Sequence, residues 1–235
     1  MASEVELLEV FRLAEAAGTP DIVRVVEDRL AASWMGVSRF RDVLAVTDRS
    51  RRIQRSAGTL LWAGRAKHAL GDTSGALTDY QRALPICREV GDRAGEAATL
   101  SNIGGVYDRR GDGDTALDYY QRALPICREV GDRAGEAATL SNIGAVYDGR
   151  GDGDTALDYY QRALPICREV GDRAGEAVTR YNIAMVYRGA GRLADAVAEL
   201  EVVVELDRAV QHPDLAADTA VLAQIQAQLY GSREA

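Results

Sequence analysis

One stretch of this chain is written three times over. Gly71–Arg110, Gly111–Arg150 and Gly151–Ala190 follow one another, and each adjacent pair differs at seven of forty positions. The block QRALPICREVGDRAGEA stands at 81–97, 121–137 and 161–177, and 191–210 reads as a diverged fourth copy of the first half of the unit. A period of this length is the mark of a repeat architecture. Each unit is a small supersecondary element that cannot bury its apolar face alone, so the copies must stack on one another.

Within a unit the apolar spacing is helical. Leu100, Ile103, Gly104 and Tyr107 fall at i, i+3, i+4 and i+7, and Ala116, Tyr120, Ala123, Leu124 and Cys127 form a second stripe. No segment sustains a period of two. Gly111 closes the first helix and Asp114 is the expected N-cap of the second; Gly131 and Asp132 repeat that punctuation at the next boundary. Each unit is therefore a helical hairpin, A then B. The small residues Gly104, Gly144 and Ala184 lie on the core stripe of helix A, where they let helix B approach closely. Pro85, Pro125 and Pro165 fall inside helix B, which must either bend or break there.

Composition narrows the function. The net charge is −8, which speaks against nucleic acid as a partner. It is unevenly spread: residues 1–70 carry 11 basic against 9 acidic side chains, and 191–235 carry 3 against 8. The first residues are acidic where a secretion signal is basic, and no apolar run reaches membrane-spanning length, so a cytoplasmic location and no membrane contact are expected. Cys87, Cys127 and Cys167 keep the forty-residue spacing, which suits free core thiols and neither a disulfide framework nor a metal site. No phosphate-binding loop, zinc-protease motif, nucleophile elbow or paired-cysteine site occurs. An enzyme is not expected, nor is a catalytic residue, cofactor or metal. His212-Pro213-Asp214 matches the tripeptide of J-domain cochaperones, but the preceding 199–208 is acidic, so it reads as a turn with Pro213 opening the last helix. His68 stands alone near a helix end.

The pattern Leu100, Ile103, Gly104, Tyr107, Gly111, Ala116, Tyr120, Ala123 and Leu124 resembles the tetratricopeptide repeat (TPR). The unit of 40 exceeds the family's usual 34 and is similar to the long repeats of LGN/Pins adaptors and, more loosely, kinesin light chains. Such repeats also accompany bacterial signalling ATPases and CHAT proteases. The resemblance implies an all-α, right-handed solenoid of antiparallel hairpins with about twelve helices. Residues 1–56 are expected to form an N-terminal helix and a degenerate hairpin (21–34, then a helix around Phe40, Val43 and Ile53). Four hairpins follow over 57–210, and a capping helix with a short tail over 211–235.

In this family the side of helix A turned from the core lines a concave groove. Projection of 100–109 puts Asn102, Gly105 and Arg109 on that side, with Ser101 and Asp108 at its edges. Asn102, Asn142 and Asn182 would form a ladder of amides able to pair with the backbone of a ligand, as the LGN resemblance implies, or else to bond the neighbouring repeat and fix stacking. Trp62 and Arg65 at one end, and Tyr181, Met185 and Arg188 in place of Ser141, Ala145 and Asp148 at the other, are the aromatic and Arg residues that commonly anchor interfaces. The expected function is a scaffold or adaptor holding a protein or peptide segment, extended or short helical. The alternatives are the sensor part of a bacterial signalling ATPase or protease system, or a self-associating structural protein.

Overall fold

A computed structural model describes residues 2–53, 56–210 and 213–234. They hold twelve α-helices and no strand. The chain divides into two compact units, Met1–Ile126 and Cys127–Ala235. The first contains α1 (Glu4–Ala17), α2 (Pro20–Gly36), α3 (Phe40–Ser50), α4 (Ala57–Ala69), α5 (Thr73–Glu89), α6 (Arg93–Arg109) and most of α7 (Gly113–Val130). The second contains the end of α7, then α8 (Arg133–Gly149), α9 (Gly153–Val170), α10 (Arg173–Gly189), α11 (Leu193–Val210) and α12 (Leu215–Glu234).

The turns follow from glycine followed by aspartate. Gly111 takes φ 78°, a left-handed conformation that an L side chain rarely adopts. The chain reverses there and α7 begins at once, so its cap is Asp112, two residues before the Asp114 that the sequence suggests. The Thr115 amide donates to Asp112 Oδ1 at 3.1 Å. Asp72, Asp92, Asp132, Asp152 and Asp172 cap α5, α6, α8, α9 and α10 in the same way. Each such cap stabilises by about 1 kcal/mol. The last helix departs from expectation as well. α12 begins at Leu215, with the Asp214 carbonyl accepting from the Asp218 amide, so Pro213 precedes the helix within a turn. His212 lies outside the described residues.

The hairpins close on one repeated contact. A Cβ added to Gly104 would stand 2.7 Å from the Tyr120 ring, and one added to Gly144 would stand 2.8 Å from Tyr160. Gly64 meets Tyr80 in the same way, at 2.4 Å. These tyrosines are fully buried. In the last hairpin both partners change together: Ala184 and Leu200 take the two places and share one cluster. A smaller B-helix side chain leaves room for one methyl on helix A.

α5, α7 and α9 run unbroken through Pro85, Pro125 and Pro165. The prolines are exposed, so the carbonyl that loses its partner can bond water. The three cysteines are free and buried, and burial pushes each thiol above its ordinary pKa. Thiols of this kind are poor nucleophiles.

Candidate functional site

Helix A of each hairpin sends one stripe into the core and leaves another half-covered. Trp62, Arg65, Ser101, Asn102 and Asp108 in the first unit are half-buried, and Arg109 is exposed. Ser141, Asn142, Asp148, Tyr181, Asn182, Met185 and Arg188 in the second are half-buried as well. That intermediate exposure distinguishes them from Leu100, Ile103, Leu140 and Ile143 on the same helices, which are buried.

In the first unit, Trp62 is held from behind. Its Nε1 donates to Asp28 Oδ1 on α2 at 2.9 Å, and the Arg65 guanidinium lies over the ring at 5.2 Å. His68, one turn further along α4, reaches α6: its Cε1 would stand 3.7 Å from a Cβ on Gly105, and its carbonyl accepts from Arg109 Nη1 at 3.2 Å. Burial and the Arg109 charge both lower the His68 pKa, so the ring is neutral at physiological pH. Asn102 Nδ2 is buried with no hydrogen-bond partner. Asp108 makes no ion pair among the described residues, and desolvation raises its pKa.

In the second unit, Ser141 is committed to stacking, its hydroxyl 2.8 Å from that of Thr179 on α10. Asp148, like Asp108, is desolvated with its pKa raised. It shares a cavity of about 490 Å³ with Met185, Leu157 and Tyr187. Tyr181 opens onto a different cavity, of about 280 Å³, between α10, α11 and α12, beside Asp207 and Asp218. The two expected anchors Tyr181 and Met185 thus serve separate hollows.

Sequence reasoning missed the first of these hollows. The signal was present as a substitution: Arg109 and Arg110 become Gly189 and Ala190 in the last copy. It also missed an aromatic device at the hairpin edge. Tyr107 stacks on Tyr119 with ring centroids 5.7 Å apart and planes 8° from parallel, and the Arg122 guanidinium covers the outer face at 4.9 Å. Tyr147, Tyr159 and Arg162 repeat the arrangement.

Among the described residues no helix is long and apolar enough to cross a membrane, and no group of three or more His, Cys, Asp or Glu side chains could hold a metal ion.

A family model for the tetratricopeptide repeat matches residues 55–129 and again 135–209. No curated protein matches the sequence. Solved structures do match. BtubC (BKLC) from P. vanneervenii superposes with TM-score 0.68 at 22% identity, covering 87% of this chain and 88% of that one. The apo quorum sensor NprR from B. thuringiensis gives 0.73 at 18%, over 93% and 63%. A Signal Transduction ATPase with Numerous Domains protein with a tetratricopeptide repeat sensor, from Pyrococcus horikoshii, gives 0.70 at 16%, over 94% of this chain and 36% of that one. At these identities the likeness is one of fold.

Proposed function

Since the chain belongs to the tetratricopeptide repeat family, we propose that it is a non-catalytic interaction module that holds a segment of another protein against the half-covered faces of its A helices. The observation that carries this reading is the state of the asparagines. If they served stacking, their amides would bond the neighbouring repeat. No hydrogen bond is made by the side chain of Asn102, Asn142 or Asn182 among the described residues, and Asn102 Nδ2 is a buried donor without an acceptor. Buried polar groups are rarely left in this state, and the carbonyl of a bound segment supplies what is missing.

Trp62, Arg65, Asp108 and Arg109 in the first unit, and Asp148, Met185 and Arg188 in the second, share the A-helix faces with the asparagines of their own unit and would set which segment is accepted. Ser101, Ser141 and Tyr181 stand at the margin. The mechanism is pre-organisation: the helices are fixed by core packing before the ligand arrives, so binding orders mainly the ligand. The likeness to a sensor-bearing signalling ATPase, over about a third of that protein's length, supports a second reading. In it the same surface serves as the sensor of a larger signalling system.

The test begins with partner identification by affinity capture and mass spectrometry, followed by calorimetry with the purified partner. Replacing Asn102, Asn142 and Asn182 together by Ala removes bonds of roughly 0.5–1.5 kcal/mol each and weakens binding by one to three orders of magnitude. Melting temperature, measured on the same preparation, stays nearly unchanged. A triple variant that melts far lower identifies the asparagines as stacking residues, and undiminished affinity moves the site off these faces.

A further inference from the structure

The same edge of the hairpin stack is built in two ways, and the difference points to a ligand. In the first unit, Arg109 and Arg110 at the end of α6 reach back over the preceding hairpin. Arg109 Nη1 donates to the His68 carbonyl at 3.2 Å, and Arg110 Nη2 to Ser74 Oγ at 3.2 Å. Eighty residues further on, the positions of His68 and Ser74 are held in the second unit by Asp148 and Asp154, and those of the two arginines by Gly189 and Ala190. The backbone acceptor is kept at Asp148, a carboxylate replaces the Ser74 hydroxyl, and both cations have been removed. What remains is the cavity of about 490 Å³.

The charges that line it are largely spoken for, with two exceptions. Asp152 Oδ1 accepts from the Thr155 amide at 3.2 Å. Arg192 lies over the Tyr187 ring at 4.2 Å and donates to Asp195 at 2.7 Å. Among the described residues Asp148 and Asp154 make neither an ion pair nor a side-chain hydrogen bond. Among the described residues the Asp148 carbonyl accepts from backbone amides, including that of Gly151 at 2.8 Å, and from no side chain, whereas its counterpart on His68 accepts from Arg109 as well as from the Gly71 amide. Leu157 and Met185 supply apolar wall beside these acceptors.

We propose that this cavity receives an arginine side chain from the bound protein segment, filling the place that the chain's own arginines fill in the first unit. The planar guanidinium can donate to the Asp148 carbonyl and to a carboxylate at once, and its alkyl stem suits the Leu157 and Met185 wall. The proposal rests on the interaction-module reading, but a test of the hollow itself needs no partner.

The full chain, ¹⁵N-labelled, is titrated with Nα-acetyl-arginine N-methylamide, and separately with the equivalent norleucine derivative, at matched ionic strength. The arginine probe shifts the amides of Gly151, Gly153 and Gly189 with a dissociation constant on the order of millimolar, a scale suited to one side chain. The norleucine probe binds at least tenfold more weakly. Asp148→Asn with Asp154→Asn weakens the arginine probe at least tenfold. Ala190→Arg abolishes its binding by filling the hollow from within. Ala190 has φ −81° and ψ 2°, against −83° and −2° for Arg110, so this backbone already accepts arginine.

Equal binding of norleucine, undiminished binding to Ala190→Arg, or no saturation with the unaltered chain each overturn the proposal. None of these touches the asparagine test. Conversely, an Asn triple variant that loses the partner while still binding the arginine probe shows the two sites to be separately built.

Discussion

The hairpin α4/α5 and the hairpin α6/α7 are successive copies of one design, yet the same place in each is held by different chemistry. In α6/α7 it is the stacked pair Tyr107 and Tyr119. In α4/α5 the two positions are Lys67 and Asp79, and Lys67 Nζ donates to Asp79 Oδ2 at 2.7 Å. Arg51, at the end of α3, brings its Nη2 to 2.9 Å from the same oxygen, and Arg82 Nη1 lies 3.9 Å from the other. Asp79 is only 1% exposed. The neighbouring helix explains the change. α6/α7 packs on a hairpin of its own kind, whereas α4/α5 adjoins the degenerate α2/α3, whose side chains are not those of the repeat. A second buried acid marks that junction. Glu27 on α2 is fully buried and accepts from Thr59 Oγ1 on α4 at 2.7 Å. At this place the repeat hairpin is aromatic, and the N-terminal junction is ionic.

The largest expected effect tests the interior. Tyr160→Ala empties the space against Gly144 and destabilises by about 3–5 kcal/mol, the usual range for a buried aromatic. Tyr159→Ala removes one ring of a half-exposed stack and costs about 1 kcal/mol. Thermal melts of both variants check the ratio. Similar shifts would show that the edge stack, rather than the Tyr–Gly contact, holds these hairpins together.

That contrast was half legible in the sequence. The helical phase separates Tyr120 and Tyr160 from Tyr119 and Tyr159, and repetition makes the phase hard to misread, because each position is seen three times. Gly104 and Gly144 announced a close approach for the same reason. The Tyr–Tyr stacks were not visible, since they join residues of two helices at positions that periodicity classes only as off the stripe. Nor could Asp112 be preferred to Asp114 as the cap, because the choice depends on where the left-handed residue turns the chain. Among the candidate site residues, the exposure of the A-helix face followed from projection. That Ser141 bonds Thr179 and that Trp62 bonds Asp28 depends on inter-helix distances that no single helix encodes. The ionic junction was obscured because Asp79 departs from the repeat in one copy alone, and Glu27, Arg51 and Lys67 precede the repeated stretch.

The second prediction concerns pH at that junction. Burial raises the Glu27 pKa from 4.5 to about 7, against the opposing effect of its hydrogen bond from Thr59 and of the nearby Ser50 hydroxyl. With the pKa higher in the folded state, the folded chain holds its proton to higher pH than the unfolded chain. Below pH 4.5 the group is neutral in both states and adds no penalty. As pH rises from 4.5 through 7 the unfolded state ionises first, and stability falls by up to roughly 3 kcal/mol, at 1.36 kcal/mol per pKa unit. Glu27→Gln keeps the shape without the charge, so it should melt higher than the unaltered chain at pH 8 and nearly the same at pH 4.5. Denaturant titrations at a series of pH values decide the matter. A pH dependence that survives Glu27→Gln would place the titrating group elsewhere.

The smallest expected effect is the most direct test of whether the junction needs its charges. Asp79→Asn alone leaves Lys67 and Arg51 without their carboxylate. Breaking a buried pair from one side costs about 3–5 kcal/mol, and because the two cations are about a quarter exposed, the lower end applies. Replacing both Lys67 and Asp79 by Tyr instead copies the interior hairpin into the end. Taking two charges out of water offsets much of what their attraction returns, so an apolar substitute of suitable shape is often neutral. Arg51 is left with Asp48, whose Oδ1 already lies 3.7 Å from its Nη1 on the exposed side. The double variant is therefore expected within about 1 kcal/mol of the unaltered chain, while the single variant falls well below it. Such a result would make the ion pair an adaptation to local geometry with little net effect on stability. A double variant as unstable as the single one would mean that α2/α3 cannot accommodate the second ring. The departure from the repeat would then be imposed by the neighbour, and the ionic chemistry of the junction would be a requirement of docking the degenerate hairpin.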